Sequence, residues 1–277
     1  MLQDKLKLSF FLSKLIIILM IITSASGFFF REIYQANATD KAGWYGNDLV
    51  TLFIALPLLI VGLFFSQRGL LRGQLIWLGM LHYVFYNYAF YLFGATINWF
   101  FGLYIVLFTL PMFTILFALT NLNIHEFVWH FHSTKPARWI SGYMFFWAGL
   151  LGVAWTVQWV GFLRMSSLDV EQGNFIRTVG GIDLSLLASG LIVGAIWLWK
   201  QKIWGYVVAT VLNVSGTIYT LVLTVGSFAQ AKAGIEGATA LIPLWVFLGS
   251  ASFMVSIIML RNLKSASDPL SNDARLT

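Results

Sequence analysis

Between Gly73 and Ile124 the chain carries no Asp, Glu, Lys or Arg, and its only titratable side chains there are His82 and several tyrosines. A water-soluble domain has about a quarter of its residues charged, so a stretch this long without charge has no place on a solvated surface. A membrane helix needs roughly 20 apolar residues, and further charge-poor runs of that length follow. Over the whole chain of 277 residues, 59% are hydrophobic and only 10% charged, too little polar surface to clothe a soluble globule. Short alternating segments, which would mark a transmembrane barrel, are missing. The fold class is therefore all-α, a polytopic transmembrane helical bundle.

Charges punctuate eight spans: Phe10–Phe30, Leu49–Gln67, Gln74–Ala95, Ile97–Thr120, Trp139–Leu163, Leu184–Trp199, Ile203–Ala231 and Gly237–Leu260. A tight turn near residues 94–98 must join the third to the fourth. Ser24-Ala25-Ser26 has the small residues of a signal cleavage site, but the apolar run continues through Phe30, which argues against cleavage. With the amino terminus inside, twelve lysines and arginines fall on the inner side and five on the outer. The positive-inside rule then puts both termini in the cytoplasm, and reads the net charge of +6 as topology and not as nucleic-acid binding. Without cysteine there is no thiolate chemistry and no disulfide.

The halves repeat a pattern. Gly27-Phe28-Phe29-Phe30-Arg31 is matched by Gly161-Phe162-Leu163-Arg164, and Gly46-Asn47-Asp48-Leu49 by Gly181-Ile182-Asp183-Leu184. Each is followed by a short apolar span and a basic inner turn. Four spans per half is an even number, which predicts two parallel four-helix repeats, residues 1–123 and 139–264, with a cytoplasmic linker over 124–138 and a tail over 265–277.

At Gly46-Asn47-Asp48-Leu49-Val50-Thr51-Leu52, Pro57-Leu58-Leu59, Arg68-Gly69 and Tyr86-Asn87-Tyr88-Ala89, and again around Asp183-Leu184 and Trp204-Gly205-Tyr206, the chain resembles a group of uncharacterised bacterial multi-spanning membrane proteins. The resemblance implies eight helices in a bacterial cytoplasmic membrane and carries no activity with it. That group often has a proline in the sixth span, which this chain lacks.

Two sets of residues are candidates for binding. Arg31 with Asp48, and Arg164 with Asp183, are placed at the outer surface, each aspartate at the start of a span. There a carboxylate caps free N–H groups and pairs with the arginine, or the acids form an outward-facing site for a cation or amine. The second set is the third span, where Tyr83, Asn87 and Tyr91 fall on one helical stripe beside His82 and Tyr86. Polar groups at that depth must pair within the bundle or line a pocket, and Asn98, Gln158, Asn213 and Thr217 are the partners the sequence offers. His125-Glu126-Phe127-Val128-Trp129-His130-Phe131-His132 reads as an interfacial anchor of the inner loop, since its histidines lack His-Glu-x-x-His spacing. No catalytic set, metal site or cofactor is expected.

These features predict a protein that binds or transports a small molecule in a cavity between helices, with membrane lipids as its surroundings. The alternatives are an accessory membrane subunit and an enzyme acting on a lipid or quinone. The orientation has a direct check: reporter fusions at Thr277 and in the Lys41 loop should report inner and outer locations respectively.

Overall fold

A computed structural model describes residues 6–129, 131, 133–165 and 169–265. Eight long helices run through it: α1 Lys7–Phe29, α2 Ala38–Gln67, α3 Leu71–Gly94, α4 Phe101–Asn121, α5 Lys135–Leu163, α6 Val170–Trp199, α7 Ile203–Lys232 and α8 Ile242–Arg261. Apolar side chains such as Phe11, Phe53, Val153, Phe253 and Met254 stand exposed on their outer faces, while serines, threonines and asparagines are buried. That distribution inverts a soluble protein's and suits a hydrocarbon surround. Seven of the helices are long and apolar enough to cross a membrane. The chain is thus an all-α protein with the make-up of a multi-pass membrane protein.

The exception is α3. It has the length, but Gln74, His82, Asn87 and its tyrosines make it more polar than the others. Sixteen of its 24 residues are buried, so protein rather than lipid surrounds most of it. Antiparallel α2 packs along one side, with a methyl-sized gap at Gly62 filled by the Trp77 backbone. On another side α7 runs parallel to α3, matching Gly79 to Val214, His82 to Ser215 and Tyr86 to Tyr219.

The apolar interior forms two large clusters and a small one of Leu75, Phe127, Val207 and Leu263. One large cluster lies among α1–α4 but includes Ile218 and Val222 of α7. The other lies among α5–α8 but includes Tyr86, Ala89 and Phe90 of α3. Each half lends part of its third helix to the other's core. The turns that end α2 and α6 also match: after α2, Gly69 N–H bonds to Ser66 O and Leu70 N–H to Phe65 O, and after α6, Gln201 N–H bonds to Leu198 O and Lys202 N–H to Trp197 O. Both are Schellman-type ends needing a left-handed residue. Gly69 takes φ 78° freely, whereas Gln201 holds φ 55° with a side chain.

Two sequence expectations are corrected. The second and sixth helices do not begin at Leu49 and Leu184 but at Ala38 and Val170, because Asn37 and Asp169 cap them by accepting bonds from following N–H groups. The fourth begins at Phe101, since Asn98 folds its carboxamide onto the Phe100 N–H and stops the backbone short of a helix. A single turn over Ile124–Glu126 leads into β1, Phe127–Trp129, which pairs antiparallel with β2, Leu263–Ser265. Trp129 donates its indole N–H to Met259 O, so this segment straps the end of α8. His130, His132 and the tail from residue 266 lie outside the described residues.

α2 and α7 approach closest at Gly46, where a β-carbon would overlap the Gly226 backbone. Replacing Gly46 with leucine should force the pair apart and cost about 1–3 kcal/mol, as overpacking does. Thermal unfolding in detergent, with Gly102→Leu in open space as control, measures it.

Candidate functional site

Asp48 and Asp183 lie well inside long helices and are only 1% and 7% exposed. At 1.5 Å per residue, Asp48 stands about 28 Å along α2 from its Gln67 end, and Asp183 about 24 Å from the Trp199 end of α6. Helices of 30 residues are longer than the hydrocarbon is thick, and each acid has helical turns on both sides of it. The expectation that the aspartates cap helix starts therefore fails: the caps sit eleven and fourteen residues earlier, at Asn37 and Asp169.

The arginine pairing is also not formed. Arg31 is exposed and places its guanidinium 3.7 Å from the Tyr45 ring centre, and Arg164 is exposed at the end of α5. Among the described residues the ion pair formed is Lys41 with Glu32, at 3.1 Å on the surface. Neutral donors hold the carboxylates instead. Tyr34 donates to Asp48 Oδ2 at 2.6 Å and Tyr91 to Oδ1 at 2.8 Å. Tyr86 donates to Asp183 Oδ1, and the Trp155 indole to Oδ2 at 2.9 Å.

Tyr34 comes from the loop between α1 and α2. A single turn over Arg31–Ile33 drops its ring beneath Trp44 and beside Tyr91, leaving it 1% exposed. Burial first, and the Asp48 carboxylate next, push its phenol well above the ordinary tyrosine value, so it stays protonated and acts as donor. Gly27 of α1 makes the space: a β-carbon there would overlap both the Asp48 carboxylate and the Tyr34 hydroxyl. In the other half Gly180 admits the Trp155 ring in the same manner.

The stripe on α3 forms as the spacing predicts. Tyr83 bonds Thr51 at 2.7 Å, Asn87 accepts from Asn47 at 2.8 Å, and Tyr91 reaches Asp48, all three on α2. Its flanks serve other helices: Tyr86 turns to Asp183 on α6, His82 meets Ser215 of α7 at 2.9 Å, and Tyr88 meets Thr23 of α1 at 2.7 Å. One helix thus holds both carboxylates. Asn98, Asn213, Thr217 and Gln158 are not its partners. Asn213 and Thr217 bond carbonyls of their own helix, Asn98 lies in the loop, and Gln158 is exposed.

These contacts are direct, which makes the face a hydrogen-bonded seam. Two surface depressions lie elsewhere, one by Phe30, Glu32 and Trp99, the other by Phe145, Trp199 and Lys200. The Asn87 amide nitrogen is buried with no partner among the described residues. Wider π-helical turns accompany both aspartates: Thr51–Ala55 just after Asp48, and Ile176–Gly180 with Asp183–Ala188 around Asp183. Such turns rotate the following side chains onto a new face and are frequent at functional sites. Among the described residues no three His, Cys, Asp or Glu side chains cluster to hold a metal ion.

No family model, curated protein or solved structure matches the chain.

The sequence missed Tyr34, Trp155, Asn47 and Thr51. Asn47 and Thr51 lay on the same helical face as Asp48 once that helix was extended upstream. Nothing local marks a loop tyrosine as an inserted one. Replacing Tyr91 with phenylalanine leaves an Asp48 oxygen short of a donor in a dry site and should cost about 1–3 kcal/mol. Tyr45→Phe, on a half-exposed ring, should change unfolding in detergent little. Asn87→Leu should cost about 1 kcal/mol by the measure of hydrogen bonds between membrane helices.

Proposed function

We propose that this chain crosses the membrane eight times, with both termini in the cytoplasm, and that it binds or transports a small molecule at the Asp48 and Asp183 sites. One observation carries the reading. Two buried carboxylates, one in each half, are held by neutral donors, with no basic side chain among their partners in the described residues. An acid inside a bundle without a counter-charge costs stability, and ionisable groups kept at such depth characteristically serve substrate or ion pathways. The π-turns beside both acids support it, because a wide turn is a place where a helix shifts register at small cost.

The eighth crossing is supported by α3 itself, which runs antiparallel to α2 in the middle of the bundle and needs little hydropathy there. A duplication, with repeats over residues 1–123 and 139–264, is supported by the matching inner turns, the reciprocal sharing of α3 and α7 between cores, and the paired acids. Placement of substrate between repeats is common among transporters. We read the membrane as a bacterial cytoplasmic one, on the resemblance described above.

An accessory subunit is the second reading, favoured by the direct closure of the seam, which has the character of helix-to-helix adhesion. Thermal-shift screening of the detergent-solubilised protein against amines, quinones and lipids separates the two. Binding at a hundredfold excess over Kd should stabilise the wild type by about 2.7 kcal/mol, and Asp48→Asn or Asp183→Asn should abolish the shift. A stabilising ligand unaffected by both substitutions would remove these sites from the proposal. A panel without any stabiliser, together with a stoichiometric protein partner on purification, would favour the accessory role.

A further inference from the structure

We infer that Asp48 and Asp183 each take up a proton, and do not coordinate a metal or alkali cation. The inference rests on the functional reading just given and names the ligand of the same two sites.

The donor sets decide between ions. A metal cation needs several oxygen lone pairs converging on one point, usually six or more for calcium and near-octahedral for magnesium. Here each carboxylate oxygen is met by an O–H or N–H aimed at it: Tyr91 and Tyr34 on Asp48, Tyr86 and Trp155 on Asp183. An indole N–H has no lone pair to offer a cation, and a tyrosine hydroxyl donating to the acid presents its hydrogen side. Each carboxylate oxygen keeps one lone pair beyond the bond it accepts, but a metal would need several further oxygen ligands gathered around it, and at Asp48 Gly27 already marks the limit of space. An amine could use only the second lone pair of each oxygen, and at Asp48 it would need room that Gly27 does not leave. A proton needs no room and no further ligand. It moves from a hydronium in water to a carboxylate oxygen, giving a neutral carboxylic acid whose remaining lone pairs still accept from the existing donors. It also removes an uncompensated charge from a dry interior.

The surroundings leave few rivals for that proton. Around Asp48 the facing titratable groups are Tyr34 from the loop before α2, Tyr83, Tyr88 and Tyr91 from α3, and Tyr104 from α4, whose ring centre lies 5.2 Å from that of Tyr91. From α1 comes Gly27. Around Asp183 stand Tyr86 from α3 and Tyr219 from α7, their rings 4.7 Å apart, with the non-titrating Trp155 from α5. His82 stacks on Tyr86 and is bonded to Ser215, so it adjoins the Asp183 site through one ring. No lysine or arginine is among these groups. Tyr34, on its short loop, is the one part of the Asp48 shell not built into a long helix.

Infrared difference spectra of the purified protein in lipid vesicles, stepped through pH in H2O and D2O, test this. The expected result is a protonated-carboxyl C=O band that titrates, shifts in D2O, loses one component in Asp48→Asn and another in Asp183→Asn, and is the same in sodium, potassium or choline chloride. Tyr34→Phe, which keeps both acids, should move the Asp48 component in frequency by removing a donor, so the test survives poor folding of an aspartate variant. Absence of any titrating component that the variants remove would overturn the inference. So would carboxylate bands that respond to sodium, potassium or methylammonium and lose that response in Asp48→Asn. A ligand whose thermal shift needs Asp48, found alongside a band that never titrates, would refute proton uptake while leaving the small-molecule reading intact.

Discussion

Hydrocarbon offers no hydrogen bonds, so every polar group on α3 has to be answered by another helix, and this requirement organises the bundle. Tyr83, Asn87 and Tyr91 dictate what α2 must present, and α2 presents Thr51, Asn47 and Asp48 at matching depths. His82 fixes Ser215 of α7, Tyr88 fixes Thr23 of α1, and Tyr86 reaches across to Asp183 of α6. Apolar packing in lipid is weakly directional, because lipid tails are as apolar as leucine. The polar contacts therefore set register, and glycines at Gly46, Gly62 and Gly79 let the backbones come close enough to make them.

The two halves meet this requirement unequally. Asp48 is satisfied within its own half by α3 and the loop before α2, whereas Asp183 takes one donor from its own α5 and one from the other half's α3. Tyr86 stands more than a turn from Tyr91 along α3, so the two acids are held at different levels of the bundle.

Much of the architecture was legible because charge placement and apolar run length are direct consequences of the bilayer. The α3 stripe was legible for a similar reason: residues four apart on a helix share a face whatever surrounds them. The depth of the aspartates was not. Residues 38–48 are polar enough to read as an outer loop, with Asp40, Lys41 and Asn47 in a short space, yet they are helix because Asn37 caps them and α7 is long enough to pack beside them. Propensity and hydropathy carry no information on that neighbour. The insertion of Tyr34 depends on Gly27 lacking a side chain, a relation between residues that no local pattern expresses. The partners of the seam were misjudged on the same account, since helix neighbours follow from three-dimensional order.

The enclosure of α3 bears on how the protein is made. As the nascent chain enters the membrane, α3 arrives before α6 and α7, the helices that will cover His82 and Tyr86. Alone in lipid its polar flank would be unanswered, and it is the one long helix outside the apolar set of seven. Of its early companions, α1 satisfies Tyr88 and α2 the Tyr83–Asn87–Tyr91 stripe, and together they can hold it in place. The flank toward α7 stays open until the second half is synthesised. The first four helices thus form a partial assembly with a waiting polar edge, and the second half completes the protein by docking against that edge rather than by adding an independent unit.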